Sequence, residues 1–541
     1  MERISQNRIP IHITAQAIMF CVIFLCYPQL SAQVDTAWVR TYNGSGEQWD
    51  RGAGIEVDRE GNIYVLGQAN GDEIGNGDIV VIKYTPEGET TWARIYDAPG
   101  ENSRDLPIGI ASDSLGNVYV SEVTNYGRGD NFTTLRYLAN GDTAWLRQFD
   151  GPEHLGDFPH KLQTDHFGNV IILGECDGES SVLCVVKYLP NGDTAWSRVY
   201  ADLEGPAFAM DIDIDDEGNI YITGSGYASW ETYRDAVTIK YHPNGDTAWI
   251  RRYEGIANSD DAASGITVND SGYVFVAGST EIPSYQRCSL LIKYDPNGNT
   301  VWVTVDSGST AAYFVGLDPL GNIYAAGNAI TKYDPNGSPV WRREYGRPNS
   351  RYDLISAFLV DSEGNSYATG QSWLDDSHYD YLTMKFDANG ELLWSQEYNG
   401  QDNSVDEAWG LAVDGFNNVY VTGVSYSLAT YNDIVTIRYV QTPTGIVEAS
   451  QPLPMESGIF QNYPNPFNGT TALNYALKEP GRVSLTVYNF LGQKVARLVD
   501  SFRAEGQHSA IWNAEDVPSG IYFALLESSS HSWAIKLTLI K

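Results

Sequence analysis

The chain has 541 residues, of which 69 are Asp or Glu and 34 are Lys or Arg, so its formal net charge at pH 7 is −35. This length exceeds what one compact core holds, which predicts at least two domains. So acidic a surface repels phosphate groups, which argues against nucleic acid as a partner. The 52 Gly, 35 Tyr and 14 Trp indicate an all-β protein that is rich in turns.

The N-terminus has the pattern of an export signal. Arg3 and Arg8 precede an apolar run from Ala17 to Tyr27, and Ala32 offers a small residue for cleavage. The run is too short to span a bilayer comfortably, although an anchored helix is the alternative. We therefore predict a signal peptide over residues 1–32 and no transmembrane segment in the mature chain.

Residues 33–440 repeat one unit eight times. Each unit contains a pattern that begins at Trp, such as WIRRY, then an apolar pattern such as GIEVD, a third such as NIYVLG and a fourth such as VTIKY. Each pattern alternates with period two and is rich in β-branched and aromatic residues, which predicts strands. Four antiparallel strands per unit predict an eight-bladed β-propeller. The repeated tryptophans are Trp38, Trp92, Trp145, Trp196, Trp249, Trp302, Trp341 and Trp394.

The two ends of the repeat region complement each other. The last unit lacks its own outer pattern after Tyr439, whereas the region opens with a lone outer pattern at Trp38. We predict that Trp38–Tyr42 supplies the outer strand of the last blade, because this removes open sheet edges. The tandem D-x-x-G-N-x-Y-V-x-G units resemble bacterial β-propeller repeat families of secreted proteins over residues 35–439. That resemblance implies the fold and says little about function.

Turn lengths predict that the propeller has two different faces. The short D-x-x-G-N and P-N-G turns belong on one face, where we interpret Asp58 and its counterparts as turn-capping residues instead of a calcium collar. The longer, variable loops belong on the other face. Their aromatic residues predict a site for an unidentified glycan or protein ligand, the alternative being that these rings pack the loops together. These residues are Tyr227, Trp230, Tyr233, Trp373, Tyr379, Tyr426 and Tyr431.

Polar residues in the inner strands of the third and fourth units offer an alternative site. His160 and Lys161 lie in one strand, and Asp211 and Asp213 share a face of the next. Paired carboxylates beside a His or Lys suit acid–base chemistry, although buried polar pairs between blades explain them equally well. No nucleophile motif, metal-ligand spacing or cofactor motif accompanies them. We expect no metal and no cofactor.

Cysteines do not form a framework of disulfides. Cys21 and Cys26 leave with the predicted signal, and Cys288 has no obvious partner. Cys176 and Cys184 lie on the two sides of one predicted hairpin. They form either a cross-strand disulfide or two unpaired small hydrophobic residues.

The repeat ends before a C-terminal module. Residues 441–459 hold three prolines and many small residues, which predicts a linker, and the short strand patterns over residues 460–541 predict a small immunoglobulin-like β-sandwich. YPNPFN, VYNFLGQKVARL and VPSGIYFALL resemble the type A sorting domain of the type IX secretion system. One departure is Gly469, where the family commonly has Pro. The matching motif residues are Tyr463, Pro464, Asn465, Pro466, Phe467, Asn468, Gly492 and Gly520.

The resemblance implies recognition by the type IX export machinery and a location in the medium or on the outer surface of a Gram-negative bacterium. We therefore predict a monomeric, secreted or cell-surface binding propeller without catalysis. The alternative is a secreted hydrolase or lyase acting on polysaccharide, with its site at the propeller mouth.

Overall fold

A computed structural model describes strands and turns in two compact units, Met1–Thr444 and Gly445–Lys541. The predicted signal peptide and most of the predicted linker lie outside the described residues, and the domain boundaries at 32, 440 and 459 stay predictions. The described ranges are 33–44, 49–71, 77–98, 105–125, 130–176, 181–200, 205–227, 233–255, 259–282, 286–309, 311–373, 378–442, 458–459, 467, 469–478, 481–503, 506–514, 517–528 and 532–540.

The first unit contains eight sheets of four antiparallel strands, which we call blades and number in chain order. Its strands are β1 (Gln33–Tyr42), β2 (Trp49–Val57), β3 (Ile63–Gly71), β4 (Asp78–Tyr84), β5 (Thr90–Tyr96), β6 (Asp105–Ser112), β7 (Val118–Asn125), β8 (Asp130–Tyr137), β9 (Thr143–Phe149), β10 (Asp157–Thr164), β11 (Val170–Cys176), β12 (Val182–Tyr188), β13 (Thr194–Tyr200), β14 (Ala207–Ile214), β15 (Ile220–Tyr227), β16 (Arg234–Tyr241), β17 (Thr247–Tyr253), β18 (Ala262–Val268), β19 (Val274–Ile282), β20 (Gln286–Tyr294), β21 (Thr300–Asp306), β22 (Ala312–Leu317), β23 (Ile323–Gly327), β24 (Ala329–Tyr333), β25 (Pro339–Glu344), β26 (Tyr352–Val360), β27 (Ser366–Trp373), β28 (Tyr379–Phe386), β29 (Leu392–Tyr398), β30 (Asp406–Val413), β31 (Val419–Ser427) and β32 (Tyr431–Thr442).

The blades close into a ring, which confirms the predicted eight-bladed propeller. The first blade is β2–β5, and each later blade takes the next four strands until the eighth, which is ordered β30, β31, β32, β1. In that last blade β1 pairs with β32 in antiparallel register, with Trp38 opposite Arg438 and Tyr42 opposite Ile434. The first strand of each blade contacts the first strand of the next, and β30 contacts β2. These innermost strands therefore surround a central channel.

Side chains of the outer strands join each blade to the next. Trp92 Nε1 donates a hydrogen bond to Ala139 O at 3.2 Å, and Arg94 Nε donates one to Gly141 O at 2.7 Å. The Arg94 guanidinium also lies 5.6 Å from the centre of the Trp92 ring, within cation–π range. A Cβ at Gly141, whose φ is +85°, would lie 2.8 Å from the Trp92 ring. The repeated Trp and Gly are therefore packing residues of the blade seams.

The aspartates of the D-x-x-G-N strings cap their turns. Asp58 Oδ1 accepts hydrogen bonds from the backbone N–H groups of Glu60 and Asn62, both at 2.9 Å. Asp58 Oδ2 accepts from Asn62 Nδ2 at 2.8 Å and from the Tyr64 hydroxyl at 2.9 Å. Because all of these partners lie within six residues of Asp58, the capping of the turn explains why an aspartate stands at this position. We call this side of the propeller the short-turn face.

The second unit is a small sandwich of two sheets, as predicted. One sheet has the order β33-β34-β37 and the other has the order β36-β35-β38-β39. Trp512 and Tyr475 are buried between them with Leu485, Val487 and Leu526. The strands are β33 (Gly458–Ile459), β34 (Thr470–Leu477), β35 (Gly481–Asn489), β36 (Lys494–Arg503), β37 (Gly506–Asn513), β38 (Gly520–Glu527) and β39 (Ser532–Leu539).

Candidate functional site

Exposed tryptophan and tyrosine side chains gather on the side opposite the short-turn face, which we call the long-loop face. In every blade the innermost strand and the third strand start on this side. Each exposed Trp or Tyr lies just before the start of such a strand or in its first half. On the short-turn face the exposed large side chains are leucines and phenylalanines, such as Leu320 and Phe416. Among the described residues, the exposed Trp and Tyr are Trp49, Tyr233, Tyr313, Tyr352, Trp409 and Tyr431.

Every innermost strand contains a β-bulge. Each bulge leaves one residue without a register partner, which re-aims its side chain. Four of these side chains are exposed, His160, Met210, Tyr313 and Trp409, and about half of the Trp409 surface (48%) remains accessible. The eight bulged residues are Ala53, Ile108, His160, Met210, Ser264, Tyr313, Ser356 and Trp409.

Aromatic residues singled out in the sequence fall into exposed and packed groups. Tyr233 and Tyr431 are exposed, at 50% and 44%. Trp373 and Tyr379 lie opposite each other across β27 and β28 with ring centres 5.8 Å apart, and both are half-buried. Tyr227 and Tyr426 are half-buried at hairpin ends, and Trp230 lies outside the described residues. Sequence reasoning missed Trp49, Tyr313, Tyr352 and Trp409, whose exposure depends on strand ends and bulges.

The carboxylates of Asp211 and Asp213 bind the neighbouring blade. Asp211 Oδ2 accepts the backbone N–H of Ile266 at 3.0 Å, and Asp213 Oδ2 accepts that of Val268 at 2.8 Å. Burial raises the pKa of both carboxyls, while Lys161 acts to lower the pKa of Asp211. Gln163 Nε2 donates to Asp213 Oδ1 at 3.3 Å. Both aspartates therefore have a structural role in the seam between the fourth and fifth blades.

His160 and Lys161 are exposed on the innermost strand of the third blade, next to the seam between the third and fourth blades. His160 Nε2 lies 3.2 Å from Glu175 Oε1, which also accepts the backbone N–H of Ala209 at 2.9 Å. The structure therefore brings Lys161 within electrostatic range of Asp211 and pairs His160 with Glu175. An imidazole beside a carboxylate is a pairing that general acid–base catalysis uses. The contact with Glu175 could not be predicted from the sequence, because the two residues are fifteen positions apart and lie in different strands.

A half-buried acid in the first blade also escaped sequence reasoning. Glu56 lies two residues before the turn aspartate Asp58, in the innermost strand β2. Ser112 of the second blade donates a hydrogen bond to Glu56 Oε1 at 3.3 Å. Burial, with a smaller contribution from the Asp58 charge, raises the pKa of Glu56 to about 7.

The structure contains a disulfide between Cys176 and Cys184, at the end of the second strand and near the start of the third strand of the third blade. This settles the alternative that the sequence left open. Cys288 is a buried free thiol. A disulfide fits a protein that leaves the cytosol.

The motif positions of the C-terminal module have structural roles where they are described. Phe467 is buried against Trp512 with ring centres 5.5 Å apart, and its backbone pairs with β39 through Thr538 and Ile540. Gly492, at φ +77°, closes the turn between β35 and β36, and this turn exposes Phe490 and Leu491. Gly520 begins β38. Tyr463, Pro464, Asn465, Pro466 and Asn468 lie outside the described residues.

The same module matches a known family. Residues 461–541 match the family described as secretion system C-terminal sorting domain. The C-terminal module is a type IX sorting domain. The sorting domain implies that the secretion machinery handles the chain and that the chain is destined for secretion or for the outer surface of a Gram-negative bacterium. Among the described residues, no helix has the length and hydropathy needed to cross a membrane.

Comparison with solved structures finds distant similarities only. PorZ, a surface component of the type IX secretion system of Porphyromonas gingivalis, is 14% identical at a TM-score of 0.36, with 89% of this chain and 68% of PorZ covered. The polysaccharide lyase Uly1 is 9% identical at a TM-score of 0.42, with 72% and 90% covered. With TM-scores below 0.5, neither bears on function. No curated protein matches the chain.

Proposed function

We propose that the chain is a secreted or surface-exposed binding protein that holds a carbohydrate chain on its long-loop face and does not alter it chemically. The observation that carries this proposal is the segregation of exposed Trp and Tyr to one face. Their flat rings offer apolar stacking surfaces with a polar edge, which suits sugar rings flanked by hydroxyl groups. Most of these side chains come from the sixth, seventh, eighth and first blades, which form one continuous sector of the ring.

The charge of the chain indicates the class of glycan, and a short hairpin supports the proposed sector. The net charge of −35 disfavours polyanionic ligands, so neutral or basic glycans fit better. In the sixth blade β23 and β24 are joined through the single residue Asn328, and these strands have five residues each. We propose that this short hairpin lowers the rim beside Tyr313 and admits an extended chain to the mouth.

Glycan-array screening of the mature chain, followed by calorimetry with the best ligand, tests the proposal. We expect Trp409→Ala and Tyr431→Ala each to weaken binding about tenfold, which is about 1.4 kcal/mol. Phe416→Ala is the matched control, since Phe416 is an exposed aromatic residue on the short-turn face, and it should leave affinity unchanged. Binding that survives both changes, or a ligand that proves to be a protein, would refute the proposal.

A polysaccharide hydrolase or lyase remains the second candidate because exposed His160 lies beside Glu175 at the channel mouth. Incubation with polysaccharides, with detection of new reducing or unsaturated ends, tests it. Polysaccharide turnover that is lost in a folded His160→Ala variant would show that the propeller is an enzyme and would refute the binding proposal. The backbone hydrogen bonds that Asp211 and Asp213 already accept favour the binding protein.

Export through the sorting domain gives a separate test. We expect that deletion of residues 460–541 retains the propeller in the periplasm, because the machinery then has no recognition domain. Surface proteolysis of intact cells measures the outcome. Undiminished surface delivery of the truncated chain would contradict this role.

A further inference from the structure

The four-stranded sheet of the sorting domain exposes large apolar side chains on its outer side. In β38 the side chains of Tyr522 and Ala524 are buried, whereas those of Ile521 and Phe523 are exposed. Because side chains alternate along a strand, Ile521 and Phe523 project away from the core of the sandwich. Tyr488 of β35 lies opposite Phe523 in the strand register and is half-buried. Directly paired residues share a face, so these aromatic residues form an apolar row on the outside of the sheet.

The turn between β35 and β36 adds two further apolar side chains at the end of this sheet. Phe490 and Leu491 form its tip and are exposed at 74% and 67%, the highest values among the large apolar side chains described in the sorting domain. Asn489 Oδ1 accepts the backbone N–H groups of Leu491 at 3.0 Å and of Gln493 at 2.9 Å. The Gly492 N–H donates to Asn489 O at 3.0 Å. These hydrogen bonds hold the turn in one conformation, so binding at the tip requires little loss of conformational entropy.

Other exposed apolar side chains of the molecule stand singly. Among the described residues of the three-stranded sheet of the sorting domain, Ile511 is the exposed large apolar side chain. Exposed apolar turn tips also occur in the propeller, at Leu115 and Leu320, but these belong to different blades. Single exposed apolar residues are normal on protein surfaces, whereas several that adjoin one another indicate an interaction surface. The row on the sheet and the tip beside it are such a group.

Lysines flank the apolar row at both edges of the sheet. Lys494 of β36 lies opposite Tyr488, and Lys536 of β39 lies opposite Phe523. Both lysine side chains are exposed. One row therefore crosses the sheet in the order Lys494, Tyr488, Phe523, Lys536, with an aromatic centre and a positive charge at each end.

The charge of the sorting domain differs from that of the propeller. Residues 461–541 hold 7 Lys or Arg and 6 Asp or Glu, whereas residues 33–440 hold 25 Lys or Arg and 60 Asp or Glu. A partner whose binding site has an acidic rim would therefore attract the lysine-flanked row and repel the propeller. Charge complementarity of this kind lets the partner distinguish the sorting domain from the acidic propeller in the same chain.

We propose that this surface, which we call the export face, binds the type IX export machinery at a site that has an apolar floor and an acidic rim. The inference rests on the export role proposed above and adds to it the surface and the chemistry of the partner. Of the motif residues, Phe467 is buried and Gly492 shapes the turn, so they build the domain, whereas the exposed side chains are available to a partner. The residues of the export face are Tyr488, Phe490, Leu491, Lys494, Phe523 and Lys536.

Export of full-length variants in the native host, measured by surface proteolysis of intact cells, tests the export face. We expect Phe490→Ser with Leu491→Ser, and separately Lys494→Glu, to lower the surface-delivered fraction about tenfold, because loss of one central contact commonly weakens binding by that factor. Lys494→Arg should retain export, because the positive charge stays. Ile511→Ser is the matched control, because it removes an exposed apolar side chain from the other sheet, and it should leave export unchanged.

Thermal melting of the purified variants shows whether each one folds, and Lys494→Glu decides alone should the tip variant fail to fold, because Lys494 is exposed. Wild-type export of the folded variants would overturn the proposal, and so would an equal loss of export in Ile511→Ser. Deletion of residues 460–541 separates the two claims. A deleted chain that still reaches the surface refutes the export role itself, whereas retention of the deleted chain with normal export of the folded variants refutes only the export face.

A lipid surface is the other partner that an aromatic row flanked by lysines could bind. Flotation of the purified full chain with vesicles of anionic phospholipid distinguishes the two. Vesicle binding that is lost in Lys494→Glu, together with unchanged export of that variant, would assign the face to a lipid surface and overturn the proposal. Loss of export without vesicle binding supports it.

Discussion

The short-turn face and the long-loop face of the propeller differ in what is repeated. On the short-turn face, Asp58 and its counterparts accept the same local hydrogen bonds in blade after blade. Their carboxylates therefore stabilise the turns. On the long-loop face, Trp409, Tyr431 and the bulged residues differ between blades and remain exposed. A repeated residue therefore points to packing in this molecule, and a departure from the repeat points to a site.

On the short-turn face the largest loss of stability is expected from Asp165→Ala. Asp165 Oδ2 lies 3.0 Å from the buried Lys187 ammonium, and Oδ1 accepts the backbone N–H groups of Phe167 and Asn169. The variant leaves a buried charge unpaired, so we expect the free energy of unfolding to fall by about 3–5 kcal/mol. Urea unfolding measures it. Asp216→Ala, at an exposed neighbouring turn position, is the control, and an equal loss there would contradict the comparison.

Glu56→Gln should change the pH dependence of stability. Because the pKa of Glu56 is raised from 4.5 to about 7 in the folded protein, its stabilising contribution is present below pH 4.5 and is lost as pH rises through 7. At about 1.4 kcal/mol per pKa unit, the loss is about 3 kcal/mol. Urea unfolding between pH 4.5 and 8 should show a flatter profile for the variant. Parallel profiles for wild type and variant would show that burial does not hold the proton on Glu56.

The double change Cys176→Ala with Cys184→Ala removes the disulfide at the long-loop face and tests how much this bridge contributes to stability. The bridge closes a loop with a sequence separation of 8, for which the chain-entropy relation gives about 2–3 kcal/mol. We expect a loss of that size in the free energy of unfolding. The control variant is Cys288→Ala, which removes the buried free thiol and keeps the disulfide. Unfolding is measured under reducing and oxidising conditions, and reductant should change the unfolding free energy of the wild type and of Cys288→Ala but not that of the double variant. A redox-insensitive wild type would refute the prediction.

Trp409→Ala should have the smallest effect on stability. Its side chain is exposed and lies at a bulge, so we expect a change in unfolding free energy within about 1 kcal/mol. Thermal melting measures it. Trp92→Ala is the buried counterpart and should cost about 3–5 kcal/mol, as for core aromatics. A comparable loss in both variants would mean that Trp409 is a packing residue and not a binding residue.

Local patterns were sufficient for the repeated parts. Period-two alternation, the D-x-x-G-N turns and the tryptophan spacing predicted the strands, the eight blades and the closing strand β1, because each depends on contacts within one unit or on its neighbour's identical copy. The sorting domain was identified from its motifs. The aromatic candidates were partly anticipated, since Tyr233 and Tyr431 are exposed while Trp373 and Tyr379 pack together.

Periodicity and local turn chemistry were enough to predict the blade and its number of copies, and sequence motifs were enough to identify the export module. Which departures from the repeat are exposed or meet depends on the folded structure: the bulges that expose Trp409 and Tyr313, and the pairing of His160 with Glu175. The physical reason is that strand alternation assigns a side chain to a face, whereas bulges and ring closure determine what that face meets.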